Sequence, residues 1–156
     1  RYLRLFTFLD RGRIEAIEVE HRQAPHVRSA QKVLAAELTT MVHGQAACRQ
    51  AEAAAAVLFG GDPLKAPIEA FDVLRAEVPA FVTAAETCVD VLVGAGRPFA
   101  SNGEAKRALQ AGSVYLGGER FTGGLADPVP ATAWSHGCHL LIRVGKKQYW
   151  LAEKAA

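Results

Sequence analysis

Between Gly60 and Pro67 the sequence reads GGDPLKAP, and two glycines with two prolines in eight residues break any helix or strand of ordinary length. The break separates two stretches with different residue patterns. Before it, apolar residues recur at three- and four-residue intervals, the period of an amphipathic helix. After it, short alternating runs are separated by glycine pairs, the pattern of hairpins. The chain therefore has to be α+β, with helices first and a mixed small domain second.

The punctuation places the elements. Asp10 is expected to cap a helix over about 13–22, with Ile14, Ile17 and His21 on one face. Pro25 restarts the chain, and Val27, Ala30, Leu34, Leu38 and Met41 form the stripe of a long helix that Gly44 stops. An alanine-rich third helix runs from about Gln45 to Leu58 and ends at Phe59-Gly60-Gly61. A short helix lies near 67–77, before Pro79. The expected organisation is a helical domain over 1–62, a turn-rich linker with a short helix over 63–84, and a second domain over 85–156. A linker of this kind predicts relative motion of the two domains.

In the second domain Ser101-Asn102-Gly103-Glu104 has the spacing of a capping box, and the helix it opens carries Lys106 and Arg107. Val114-Tyr115-Leu116 and Glu119-Arg120 flank Gly117-Gly118, a hairpin signal. His139–Val144 and Gln148–Leu151 read as a second strand pair joined by Gly145-Lys146-Lys147.

Charge separates the halves again. Residues 1–96 hold 10 Lys and Arg against 12 Asp and Glu, whereas residues 97–156 hold 8 against 4. A basic segment on a small domain points toward a polyanionic partner, because phosphate contacts supply the sequence-independent part of nucleic-acid affinity. Lys106, Arg107, Lys146 and Lys147 are the leading candidates, extended by Arg97, Arg120 and Arg143. Tyr115, Tyr149 or Trp150 would stack on a base if exposed. The plainer reading keeps the cations as a solvated face and the aromatics as core.

Other chemistry finds little support. Cys48, Cys88 and Cys138 are too far apart for a CxxC pair and odd in number, so they read as reduced, mostly buried thiols. His136, Cys138 and His139 offer zinc-type donors, but zinc needs a fourth, and strand alternation would send His136 and Cys138 away from His139. No metal ligand and no catalytic residue is assigned. No run of about 18 apolar residues occurs, so a soluble, cytoplasmic protein is expected. The opening Arg1-Tyr2-Leu3-Arg4, without an initiating Met, reads as a chain cut from something longer.

The first residues, Tyr2-Leu3-Arg4-Leu5-Phe6-Thr7-Phe8-Leu9, resemble the exit from the catalytic domain of bacterial tyrosyl-tRNA synthetases. Further matches follow in that family's order: Glu20-His21 through Pro25, Arg28, Ala30-Gln31, Leu34-Ala35, Val42-His43-Gly44 and Leu58-Phe59-Gly60-Gly61. Ser101 through Arg107 and Gln110 through Leu116 are similar to the S-four-like RNA-binding fold, and Leu141 through Tyr149 resembles the synthetases' basic closing hairpin. Two departures stand out. Gly117 replaces a usual asparagine, which is expected to be structurally neutral, and Val144 stands where a second arginine is frequent.

The resemblance implies RNA contacts from Ser101, Lys106, Arg107, Arg120, Arg143, Lys146 and Lys147, and from Arg28 in the helical domain. It implies tyrosine tRNA as partner, with the helical domain on the anticodon stem and the basic domain on the stem and long variable arm. The parent enzyme would be a homodimer using ATP and magnesium. Its signature loops have no counterpart here, so this chain is expected to be non-catalytic, without a cofactor of its own, and monomeric. The alternative is the S-four-like part of another RNA-modifying enzyme, such as a pseudouridine synthase.

Overall fold

A computed structural model describes residues 1–59, 62–84 and 86–155. The chain is α+β and divides into two compact units, Arg1–Glu52 and Ala53–Ala156.

In the first unit, α1 (Tyr2–Phe6) is followed by α2 (Arg11–Gln23). Asp10 caps α2 as its position predicts, its Oδ1 accepting from Arg13 N at 2.9 Å. Pro25 opens only a single 3₁₀ turn, because Arg28 adopts a left-handed conformation (φ 59) and resets the chain. The next helix, α3 (Ser29–Phe59), therefore starts later than the proline suggests. It is interrupted at Gly44, whose φ of 86 and ψ of 162 lie outside the helical region. There the chain folds back, since Cys48 Sγ reaches Ala36 O at 3.4 Å, a contact that a continuous helix would forbid.

The core of this unit is small. Leu3, Ile14 and Ile17 are buried, with Leu9, Ala30, Val33 and Leu34 packed against them. Val27 and Met41, expected on the buried stripe, are exposed. The stripe drifts because the helix begins after Arg28, so Val27 lies outside it.

The second unit is a five-stranded sheet in the order β1 (Ala80–Thr83), β5 (Gln148–Lys154), β4 (His139–Val144), β2 (Val114–Leu116), β3 (Glu119–Arg120). Both expected hairpins form. Tyr115 pairs with Arg120 and Leu116 with Glu119 around Gly117-Gly118, and Val144 pairs with Gln148 around a turn opened by Gly145. Apolar groups cover both faces. On one side Val114, Leu116, Leu140, Ile142 and Ala152 pack with α5 (Cys88–Leu92) and Ala105 of α6 (Asn102–Gln110). On the other, Leu141 and Leu151 meet Ala54 and Val57 of α3 and Phe71 and Leu74 of α4 (Ile68–Glu77).

This second core corrects the expected boundaries. Residues 53–59 belong with the second unit, and the segment 63–84 is no linker. Phe71 and Leu74 of that segment are fully buried against the sheet, and β1 runs parallel to β5. Proline spacing cannot reveal this, because a parallel strand has its partner far along the sequence. Gly60 and Gly61, read as the end of the third helix, lie outside the described residues.

Gly117 is also less interchangeable than its turn type implies. It has φ 58, and a Cβ built there would lie 2.4 Å from Ala133 O. The turn would accept asparagine, but the neighbouring backbone would not. Gly117→Asn is expected to destabilise the second unit by about 2 kcal/mol, read as a lowered urea midpoint; an unchanged midpoint would mean that the Ala133 segment yields freely.

Candidate functional site

Helix α6 enters the site through Ser101, whose Oγ accepts from Glu104 N at 3.3 Å. The expected capping box closes differently, because Glu104 Oε2 accepts from Ala100 N rather than from Ser101. The complete version lies at α5, where the Asp90 carboxylate accepts from both Thr87 N and Thr87 Oγ1. These two bonds hold Asp90 below the usual carboxylate range.

The helix ends at Gln110, and the following residues act as a junction. Ser113 Oγ and Ser113 N both return to Ala108 O. Ser113 O accepts from Gly145 N at 2.8 Å, which brings the β4–β5 turn to the end of α6. Arg120 Nε donates to Gly112 O at 2.7 Å, placing a cation at the helix's negative end. Lys106 and Arg107 on α6, Arg120 on β3, and Lys146 and Lys147 on the turn are all exposed. Among the described residues, none of these five forms an ion pair.

A row of directly opposed residues crosses the sheet beside this junction. Arg120 pairs with Tyr115, Tyr115 with Arg143, and Arg143 with Tyr149. Strand alternation puts all four on one face. The Arg143 guanidinium lies over the Tyr115 ring, 3.8 Å from its centroid. Tyr149 donates its hydroxyl to Leu58 O. Trp150, by contrast, is paired with Ile142 and packs, partly buried, against the opposite core. Arg97 donates to Val93 O and covers the Phe81 ring at 5.3 Å.

The second unit as a whole is not basic. Over 53–156 ten basic side chains face ten acidic ones, because α4 and its flanks bring back the acids that a division near residue 96 leaves out. Some of the unit's acids are already engaged. Glu153 takes Arg75 through both carboxylate oxygens, Asp62 pairs with Lys65, and Asp127 Oδ2 accepts from Gly124 N. Segregation rather than excess makes the basic surface.

Arg28 is exposed at the left-handed turn before α3, in the first unit. Ser101, Lys106, Arg107, Arg120, Arg143, Lys146 and Lys147 belong to the second, where Arg120 and Arg143 join the cross-strand row.

The His136–Cys138 segment forms a turn rather than a strand, with His136 at φ 51. Alternation therefore fails there, and Cys138 Sγ sits 3.1 Å from His139 Nδ1. His136 is diverted, its Nε2 bonded to Ala66 O at 2.8 Å. Cys48 and Cys88 are buried, and burial pushes the Cys88 thiol up to about 12.

The family model described as the tyrosine–tRNA ligase SYY-like C-terminal domain matches residues 70–152. The chain belongs to that family. Similar proteins include the tyrosine–tRNA ligases of Geobacillus kaustophilus (39% identical over 157 residues, 99% of this chain), Corynebacterium diphtheriae (40% over 152, 95%) and Bacteroides thetaiotaomicron (37% over 166, 97%). The chain spans 36–37% of the length of these relatives, their C-terminal part.

For this tyrosine–tRNA ligase C-terminal domain, residue types alone gave no sign of the Tyr115–Arg143 stack. The 115–143 alignment is set by the long-range register of β2 with β4, which neither hairpin fixes.

His139 supplies a pH test of the fold. It stacks on Phe71 at 4.8 Å, and burial lowers its pKa from the ordinary 6.5, with Arg75 and His136 acting in the same direction and Glu153 opposing. The unfolded chain then binds the proton more readily, so this contribution to stability is intact above 6.5 and is lost as pH falls below it. Urea unfolding at about pH 7.5 and about pH 5.5 should show the loss, and His139→Gln should flatten it.

Proposed function

We propose that the chain is the tRNA-binding, non-catalytic C-terminal part of a tyrosine–tRNA ligase, holding tyrosine tRNA while the catalytic part of the longer enzyme acts on it. The observation that carries the reading is the junction at Gly112-Ser113, where α6 and the β4–β5 turn are hydrogen-bonded together. Lys106, Arg107, Lys146 and Lys147 are thereby presented on adjoining elements, exposed and without ion-pair partners among the described residues. Four unneutralised cations on a fixed framework fit a phosphate backbone, which positions a protein on RNA without reading its sequence.

The family and its relatives' names support tRNA as the nucleic acid. In this reading the first unit, with Arg28, meets the anticodon stem, and the second meets the stem and the long variable arm. ATP and magnesium belong to the catalytic part of the parent enzyme, and no residue of this chain is assigned to them. The parent enzyme is a cytoplasmic homodimer, and this portion alone is monomeric.

A salt titration of binding to tyrosine tRNA tests the reading. The double variant Lys146→Ala with Lys147→Ala is expected to bind several-fold more weakly and to lower the slope of log affinity against log salt by roughly one to two units. Shortening the variable arm should weaken wild-type binding and reduce the effect of the double variant. An unchanged slope would remove the turn from the interface, and equal weak binding to a short-armed control tRNA would refute selectivity by this chain.

A further inference from the structure

On the cross-strand row, the guanidinium of Arg143 is held but not consumed. Its carbon lies 3.8 Å from the Tyr115 ring centroid, well inside the range of a cation–π contact. The pair is fixed by the β2–β4 ladder, which sets residues 115 and 143 directly opposite each other. Of the two stacked arginines, Arg97 donates to Val93 O, whereas Arg143 has no hydrogen-bond acceptor among the described residues.

The surrounding groups leave its charge uncompensated. Arg120, on the other side of Tyr115, is occupied by Gly112 O. Tyr149, the opposite neighbour, is tied to Leu58 O. The acids are elsewhere. Glu153 lies at the far end of β5 with Arg75, and Glu119 pairs with Leu116, so alternation assigns it to the opposite face.

We infer that Tyr115 is a positioning residue, whose ring holds the Arg143 guanidinium so that its planar fork grips one RNA phosphate through two hydrogen bonds. The inference deepens the tRNA-binding reading and rests on it. Arginine is required here rather than any cation, because only a planar guanidinium can both stack on a ring and present paired N–H groups to a phosphate. A lysine would keep the charge and lose both.

The experiment measures binding of the full chain to tyrosine tRNA and to an unrelated RNA duplex, across salt, for Arg143→Lys, Tyr115→Leu, Tyr115→Phe and the Arg143→Lys/Tyr115→Leu pair. Arg143→Lys is expected to weaken binding to both RNAs by about tenfold although the charge is kept. Tyr115→Leu should cost about three- to tenfold, Tyr115→Phe almost nothing, and the pair no more than Arg143→Lys alone. In the free protein, the Arg143 Nε–H resonance should carry the ring-current shift of Tyr115, kept in Tyr115→Phe and lost in Tyr115→Leu.

Additive losses, or a neutral Arg143→Lys, would overturn the inference while leaving the Lys146 and Lys147 result standing. A loss on tyrosine tRNA alone would assign the fork to a base edge and overturn the phosphate assignment. Absence of salt-dependent RNA binding by the wild-type chain would bring down the functional reading, and this inference with it.

Discussion

The antiparallel pairing of β4 with β5 is the interaction on which the second unit depends. Its register, from His139 opposite Glu153 to Val144 opposite Gln148, assigns every side chain of both strands to one of two faces. Leu140, Ile142 and Ala152 go to the side of α5 and α6, and Leu141 and Leu151 to the side of α3 and α4. A slip of one residue would exchange the two sets. It would also carry Arg143 and Tyr149 away from Tyr115, dismantling the row on which the candidate interface stands. Burying each leucine or isoleucine in this ladder contributes roughly 1.5–3 kcal/mol, which is ample to fix the register against such a slip.

That two-sided burial explains how a segment full of breakers became part of a core. The run HLLIRV has no polar face in its centre, and such a strand needs cover on both sides. Helices α5 and α6 cover only one. The other cover comes from residues 53–59 and from α4, on either side of GGDPLKAP in the sequence. Pro63 opens a short 3₁₀ turn there rather than a free connection. Asp62 accepts from Leu64 N, and Ser135 Oγ donates to Pro63 O at 2.9 Å, so the breaker region is itself anchored to the sheet unit.

The same folding rearranges the electrostatics. Counted along the sequence, the last sixty residues are basic; counted over the compact unit, the charges balance. Asp62 and Glu153 sit with their own partners, Lys65 and Arg75, and the cations of α6 and the β4–β5 turn are left without any among the described residues. A polyanion therefore meets a local field that the unit's net charge does not reveal.

Much of this protein was legible in its sequence because the signals are local. A cap such as Asp10, the Gly117-Gly118 hairpin, the β4–β5 turn and the α6 start at Ser101 each depend on dihedral preferences and hydrogen bonds within a few residues. The cations of the candidate surface were legible for the same reason, since solvated charges announce themselves by composition. What the sequence left undecided involves partners far apart in the chain. The parallel pairing of β1 with β5, the burial of Phe71 against the sheet, the Cys138–His139 contact created by a left-handed residue, and the clash that forbids a side chain at Gly117 all arise from packing. The stacking of Arg143 on Tyr115 belongs with them, because only the long-range pairing of β2 with β4 brings those two side chains to the same point.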